Sequence, residues 1–237
     1  MHNFSATAEE NRTPAVIDVQ RAALGQERWQ DAVKECTDVK IIEPVEAIHA
    51  DPTARELMEI IFSYSPYLTQ IIVSDPIFTC SLFHDGPEPV MKEILDTLHS
   101  TRKTTPTTPE GTANLAKILR QAKRRASLAI ALADISDDWK LEQVTEALSE
   151  LAEMAISVAS AHLLAVAASQ GAFILDDAND PERGSGLVIL GMGKLGAKEL
   201  NYSSDIDLII LYDPERINTE NPESLQNHFV RFARALV

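Results

Sequence analysis

Two cysteines in 237 residues are too few for a disulfide framework, and Cys36 and Cys80 lack metal-site spacing between them. That usage suits a reducing cytosol, and a cytoplasmic location is the expectation. Positive charge is also scarce. Lys and Arg number 21 against 36 Asp and Glu, a formal net charge of −15. The deficit lies mainly in residues 1–183, with 16 basic against 29 acidic residues; residues 184–237 hold 5 against 7. An acidic chain without a basic stripe is a poor nonspecific binder of nucleic acid. No uninterrupted apolar run approaches the ~20 residues of a bilayer crossing, so no membrane role is expected. The opening Met1-His2-Asn3-Phe4-Ser5 has neither the basic nor the apolar region of a signal peptide. Internal repeats are absent.

What the chain does have is concentrated between residues 184 and 213. Leu208-Ile209-Ile210-Leu211-Tyr212 reads as a buried strand, and Asp205-Ile206-Asp207 opens it. Side chains two apart on a strand share a face, roughly 6–7 Å from one another. Two carboxylates so placed are costly to leave unpaired, and a divalent cation is the natural partner. Mg2+ takes oxygen ligands, usually one or two carboxylates with phosphate oxygens and water. The pair therefore points to a metal-dependent reaction on a phosphate. Upstream, Leu187-Val188-Ile189-Leu190 forms a second apolar run between Gly186 and Gly191. It leads into a glycine turn, Gly191-Met192-Gly193-Lys194-Leu195-Gly196, where backbone N–H groups can approach a phosphate and Lys194 can add a point charge.

Three readings of the turn compete. A Walker A loop fails, because Leu195 follows the lysine and Val188 stands where the first glycine belongs. A dinucleotide-binding fingerprint matches in letters, Gly191-x-Gly193-x-x-Gly196, with Asp213 at about the right ~20-residue distance. A parallel crossover, however, needs about a dozen residues or more, usually a full helix. Asn201, Ser203, Ser204, Asp205 and Asp207 interrupt any such helix, and that reading leaves both aspartates unexplained. The third reading is a nucleotidyltransferase site.

The full string Gly191-Met-Gly-Lys-Leu-Gly-Ala-Lys-Glu-Leu-Asn-Tyr-Ser-Ser-Asp-Ile-Asp-Leu-Ile resembles the signature of the glutamine synthetase adenylyltransferase/adenylyl-removing family. The resemblance extends upstream through Ser65-Pro66-Tyr67-Leu68, Asp75-Pro76, Leu119-Arg120 to Arg124-Arg125, and Leu148 to Glu153, covering roughly residues 60–237. It implies an α+β fold: a mostly helical region, then the start of a mixed nucleotidyltransferase sheet. It implies catalytic, Mg2+-binding roles for Asp205 and Asp207, and nucleotide or phosphate contacts for Gly191, Gly193, Lys194, Ser203 and Ser204. The implied partners are glutamine synthetase as protein substrate, ATP or ADP, phosphate, and a nitrogen-signalling regulatory protein. Glu199 to Asp205 resembles the N-terminal copy of the domain, which removes AMP from a glutamine synthetase tyrosine by phosphorolysis and releases ADP. The C-terminal copy adds AMP from ATP. The family also places a third acidic residue on a later strand, within Arg-x-Asp-x-Arg-Leu-Arg-Pro. The 237 residues hold no such stretch, so the competing expectation is a weakly active or purely binding module.

The rest of the chain reads as helical. Helices are expected over 16–37, 53–63, 66–74, 87–99, 113–135 and from a cap at Ser136 or Asp137 to about 169. Residues 1–15 are expected to be loose, 100–112 to form a loop and 179–184 a linker, and a last helix is expected from Pro222. This gives a helical region over 1–183, followed by a partial nucleotidyltransferase core over 184–237. Leu141, Val144, Leu148, Leu151, Ala155 and Val158 should form one buried stripe. Bland roles are expected for several polar residues. Arg102, Lys103, Lys123, Arg124, Arg125, Arg231 and Arg234 read as solvated, and His162 as a satisfied core histidine. Glu199, Asn201 and Asp213 read as turn residues.

Overall fold

A computed structural model describes residues 1, 2, 4, 15–38 and 41–237. It is a run of helices followed by a β-hairpin, as an α+β class requires. The order is α1 (Val19–Glu35), α2 (Ile42–Ala50), α3 (Pro52–Tyr64), α4 (Pro66–Ser74), α5 (Pro76–Asp85), α6 (Pro87–Thr104), α7 (Pro109–Ile135) and α8 (Leu141–Ser169). There follow β1 (Leu187–Gly191), the single turn α9 (Gly193–Gly196), β2 (Leu208–Tyr212) and α10 (Leu225–Leu236). Two compact units form, one from residues 1–94 with 123–147, the other from 95–122 with 148–237. The units cut across the division expected at residue 183.

In the first unit, one residue ends each helix and caps the next. Asp51 closes α2, and its carboxylate accepts from Thr53 N and Ala54 N at the start of α3. Ser65 does the same between α3 and α4, and Asp75 between α4 and α5. A proline at the first helical position follows each of these caps, where its missing N–H costs nothing. The helices α2 and α5 were not expected, although Asp75-Pro76 announces the start of α5. Trp29, Phe62, Ile61, Ile72, Leu82 and Phe83 are buried at the centre. Arg125 is half-buried and paired, not simply a solvated residue. It pairs with Asp75 at 2.8 Å, and its guanidinium lies 4.9 Å from the centre of the Phe78 ring. Arg124 donates to Ser74 Oγ at 2.6 Å. Within the expected loose start, His2 and Phe4 are in fact held. His2 bonds Asp138 at 2.8 Å, and Phe4 packs edge-on against Phe83. Residues 3 and 5–14 lie outside the described set.

The expected loop at 100–112 is mostly helix. Only residues 105–108 separate α6 from α7, because Thr101 and Thr104 bond their side chains back to the preceding turn and do not break it. Neither Ser136 nor Asp137 caps α8. The Ser136 hydroxyl donates to Leu132 O, Asp137 adopts a positive φ of 56°, and Gln143 Oε1 accepts from Lys140 N at the helix start. Leu141 is 71% exposed, so the buried stripe begins at Val144. Among the described residues, α8 alone is long and apolar enough by length and composition to cross a membrane. Reading uninterrupted runs missed this, since Glu153 and His162 divide the helix.

In the second unit α8 is the spine of two cores. Leu164 joins Phe173, Ile217, Leu225, Phe229 and Phe232, on which Leu187, Ile189, Ile210 and Tyr212 pack. Further toward the N-terminus of α8, Ala152 meets Leu195 and Leu200, with Ile156 and Leu208 beside them. The Tyr212 and Phe229 rings stack at 4.4 Å. His162 is buried and bonded to Thr112 Oγ1 at 2.8 Å, as a satisfied core histidine should be. The expected linker is a bolted turn. Arg102 donates to Asp180 at 2.9 Å and to Glu182 at 2.6 Å, and Ser157 donates to Glu182 at 3.2 Å. Arg102 is thus structural, while Lys103, Arg231 and Arg234 are exposed.

Candidate nucleotidyl-transfer site

The two strands pair antiparallel, Leu187 opposite Tyr212 and Gly191 opposite Leu208. This excludes the parallel crossover of a dinucleotide-binding unit. Among the described residues the sheet has these two antiparallel strands, and no strand of the other direction joins them. They are also not buried on both faces. Val188, Leu190, Ile209 and Leu211 are 48, 45, 41 and 51% exposed, while the intervening residues are half-buried. The period is two, as for a sheet with one covered face.

The ladder runs one pair beyond the strands, because Met192 N donates to Asp207 O at 2.9 Å. By alternation Asp207 shares the outer face with Ile209, Leu211, Val188 and Leu190. Asp205 lies two residues before it. Both aspartates are exposed, and neither carboxylate makes a hydrogen bond or ion pair among the described residues. Two free, outward carboxylates fit the donor set of Mg2+, which keeps water and takes phosphate oxygens as further ligands. Among the described residues no group of three or more His, Cys, Asp or Glu side chains is arranged to hold a metal.

The glycine turn folds α9 back onto the end of β1. A Cβ on Gly196 would stand 2.4 Å from Gly191 O, so only glycine permits this closeness. Gly193 adopts φ +53° and faces open space, which leaves room for a ligand to approach its backbone. At Gly191 the space of the missing side chain is taken by Leu195, which is buried. Lys194 is exposed and unpaired among the described residues.

Two anchors fix the loop that follows. Leu200 N donates to the buried Ser149 Oγ at 3.2 Å, and Lys198, at φ +61°, pairs with Glu153. Sequence reasoning missed Ser149 and Glu153, since no local pattern marks a helix residue that serves a loop 51 or 45 positions away. Asn201 organises the turn as expected. Its Oδ1 accepts from Ser203 N at 3.3 Å and from Ser204 Oγ at 2.6 Å. The Ser204 hydroxyl is therefore engaged inside the turn, whereas Ser203 is exposed. Asp213 caps the turn after β2, accepting from Glu215 N at 3.0 Å. The structure thus brings Asp205, Asp207 and the glycine turn to one end of the hairpin.

Comparison with known proteins shows the family. The model of the glutamate-ammonia ligase adenylyltransferase family matches residues 54–237. Curated relatives named bifunctional glutamine synthetase adenylyltransferase/adenylyl-removing enzyme are similar to this chain. One from Bradyrhizobium sp. is 39% identical over 190 residues, covering 80% of this chain and 19% of the relative. One from Rhodopseudomonas palustris is 34% identical over 241 residues, 98% of this chain and 24% of the relative. One from Rhizobium meliloti is 36% identical, covering 80% and 19%. The Rhodopseudomonas alignment takes in nearly all of the chain, including most of the first fifty residues, which resembled nothing by motif. This chain spans about a fifth to a quarter of the length of these relatives. With its signature string, its hairpin and a family match over most of its length, the chain belongs to the glutamate-ammonia ligase adenylyltransferase family.

Proposed function

We propose that this chain carries the start of a nucleotidyltransferase site that acts on the adenylyl group of glutamine synthetase, in the removing direction. The observation that carries the reading is the pair of free carboxylates, Asp205 and Asp207, at the end of the hairpin beside the glycine turn. The removing direction is supported by the wording of Glu199 to Asp205, which resembles the N-terminal copy of the family's domain. Mg2+, when bound, would neutralise charge on the transferring phosphorus. Asp205 and Asp207 would hold it, the open backbone at Gly193 and the free Lys194 would receive phosphate oxygens, and Asn201 would keep Ser203 and Ser204 beside them. An oxygen of inorganic phosphate attacks the adenylyl phosphorus, the bond to the tyrosine oxygen breaks, and ADP and a tyrosine phenolate form. A phenol of pKa about 10 leaves more readily than an aliphatic alcohol, so no dedicated general acid is required. On this reading the chain works in the cytoplasm with glutamine synthetase, nucleotide, phosphate and a nitrogen-signalling regulator as partners.

A second reading, a nucleotide- or partner-binding module with little turnover, is favoured by one observation: among the described residues no group of three carboxylates gathers here. The deciding assay incubates the 237-residue chain with adenylylated glutamine synthetase, phosphate and Mg2+ and follows ADP. A parallel reaction with unmodified glutamine synthetase and ATP follows AMP incorporation. ADP release that disappears in Asp205→Asn and Asp207→Asn supports the removing activity. AMP incorporation alone overturns the direction. Mg2+-dependent nucleotide binding without either product selects the module, and binding unchanged in both variants overturns the metal role.

A further inference from the structure

The chain reverses direction after α9 on a lysine. Glu199 N donates to Lys194 O at 2.8 Å, and Lys198 N to Leu195 O at 3.1 Å. These two bonds make the Schellman closure of a helix end, in which the residue after the C-cap takes a left-handed conformation and is usually glycine. Here the C-cap is Ala197 and the residue after it is Lys198, at φ +61°. Glycine adopts that conformation without strain, whereas a Cβ makes it costly. Among the described residues only Asp137 and Lys198 are non-glycine residues at positive φ, and aspartate visits that region far more readily than lysine.

What lysine supplies there and glycine cannot is an ammonium. Lys198 Nζ pairs with Glu153 on α8, 45 positions away. The two side chains are 58 and 45% exposed, and an ion pair so open to water adds little to stability. Backbone strain offsets that small gain, so the pair acts on the path of the chain more than on the stability of the fold. Glu153 stands one helical turn from Ser149, whose Oγ accepts from Leu200 N. Between them on α8, Ala152 packs with Leu195 and Leu200. Neighbouring contacts on one helix thus hold residues 195, 198 and 200. Immediately upstream is Lys194, whose carbonyl closes the cap. Downstream, the turn that Asn201 organises leads into Asp205.

We propose, resting on the roles given above to Lys194, Asp205 and Asp207, that Lys198 is a positioning residue of the transfer site, with Glu153 as its counter-charge. Lys198 touches no reacting atom. Tied to α8, its left-handed cap sets where Lys194 stands on one side and the two aspartates on the other. A cap that served the helix end alone would be filled as well or better by glycine. A lysine that met phosphate directly would be freed, and so strengthened, by loss of Glu153. Positioning through the pair needs both charges.

The test measures ADP binding in the presence of Mg2+ by calorimetry on the 237-residue chain, beside amide exchange without ligand and the melting temperature. Lys198→Gly relieves the backbone, so its melting temperature should hold or rise. Its amides from 199 to 207 should nonetheless exchange faster, and its ADP binding should weaken about tenfold, the lower end for groups that orient metal ligands from outside. Glu153→Gln should weaken binding to a similar degree. Lys198→Arg keeps the pair and should keep most of the binding, and Glu153→Lys combined with Lys198→Glu should restore part of the loss. Binding that Asp205→Asn loses but Lys198→Gly and Glu153→Gln retain would overturn the positioning role and leave the transfer site standing. Loss in Lys198→Gly with none in Glu153→Gln would overturn it in favour of a direct phosphate contact. Unchanged exchange in Lys198→Gly would also overturn it. If the parent chain binds no ADP, or Asp205→Asn binds it equally well, the transfer-site reading fails and the positioning role falls with it.

Discussion

Leu187, Ile189, Ile210 and Tyr212 pack on Phe173, Phe229 and Phe232, while Val188, Leu190, Ile209 and Leu211, from the same two strands, stand 41–51% exposed. The residue types hardly differ. What differs is the partner: α8 and α10 supply apolar side chains on one side only. The covered face holds the hairpin in place. The open face is continuous with Asp207, so any ligand of the carboxylates has the open face beside it. Covered and open faces are thus divided by the period of the strand, with no division along the chain.

The comparison is broken most forcefully from the covered side. Phe229 is 5% exposed and stacks on Tyr212. Phe229→Ala is expected to cost about 3–5 kcal/mol, and Leu211→Ala on the open face about 0.5 kcal/mol or less. Urea unfolding followed by amide exchange in β1 and β2 measures both, and equal costs would erase the distinction. A smaller loss, about 1–3 kcal/mol, is expected for Ser149→Ala, which strands the buried Leu200 N–H. The same exchange experiment should show faster exchange from Lys198 to Ser204, and unchanged protection there would mean that the loop is held by other contacts.

A pH effect comes next. Burial lowers His162 below the ordinary 6.5. The unfolded chain then binds the proton more tightly than the folded one. Stability from this group is full above about 6.5 and is lost as pH falls below that value toward the folded-state one. Thr112 spends its hydroxyl hydrogen on Thr108 O, so His162 Nε2–H donates to Thr112. His162→Gln retains a donor and should flatten the decline in melting temperature between neutral and mildly acidic pH. A parallel decline in both proteins would assign it to other groups. The smallest effect on stability belongs to the open end of the hairpin. Asp205→Asn and Asp207→Asn should leave the melting temperature unchanged or slightly raised, since they remove like charges that face no cation. A large drop would mean that these carboxylates hold the fold together.

Much of this was legible in the residues. The helices with strong caps, the two strands and the glycine turn follow from local rules, because Ser65-Pro66, the alternation from Leu208 and the room at Gly193 act within a few positions. The match of Asp205-Ile206-Asp207 and its flanking string to the family was also carried by sequence alone. α2 and α5 were lost because short helices with weak periodicity depend on neighbours to bury them. The loop at 100–112 was overcalled because threonine can bond back to its own helix as readily as break it.

By itself the sequence determined the family, the two strands and the glycine turn, since each resides in contiguous residues whose local conformations are chosen by their own side chains and backbone limits. Only the tertiary structure decided which face of the hairpin is covered and that Ser149 and Glu153 anchor the site loop. It likewise decided that Arg102 ties the 180–182 turn to α6, and that a cavity lies between the hairpin and α8. The loop anchors and the Arg102 tie join residues 45 to 80 positions apart, and no local preference encodes which distant surface an apolar face or a free carboxylate will meet.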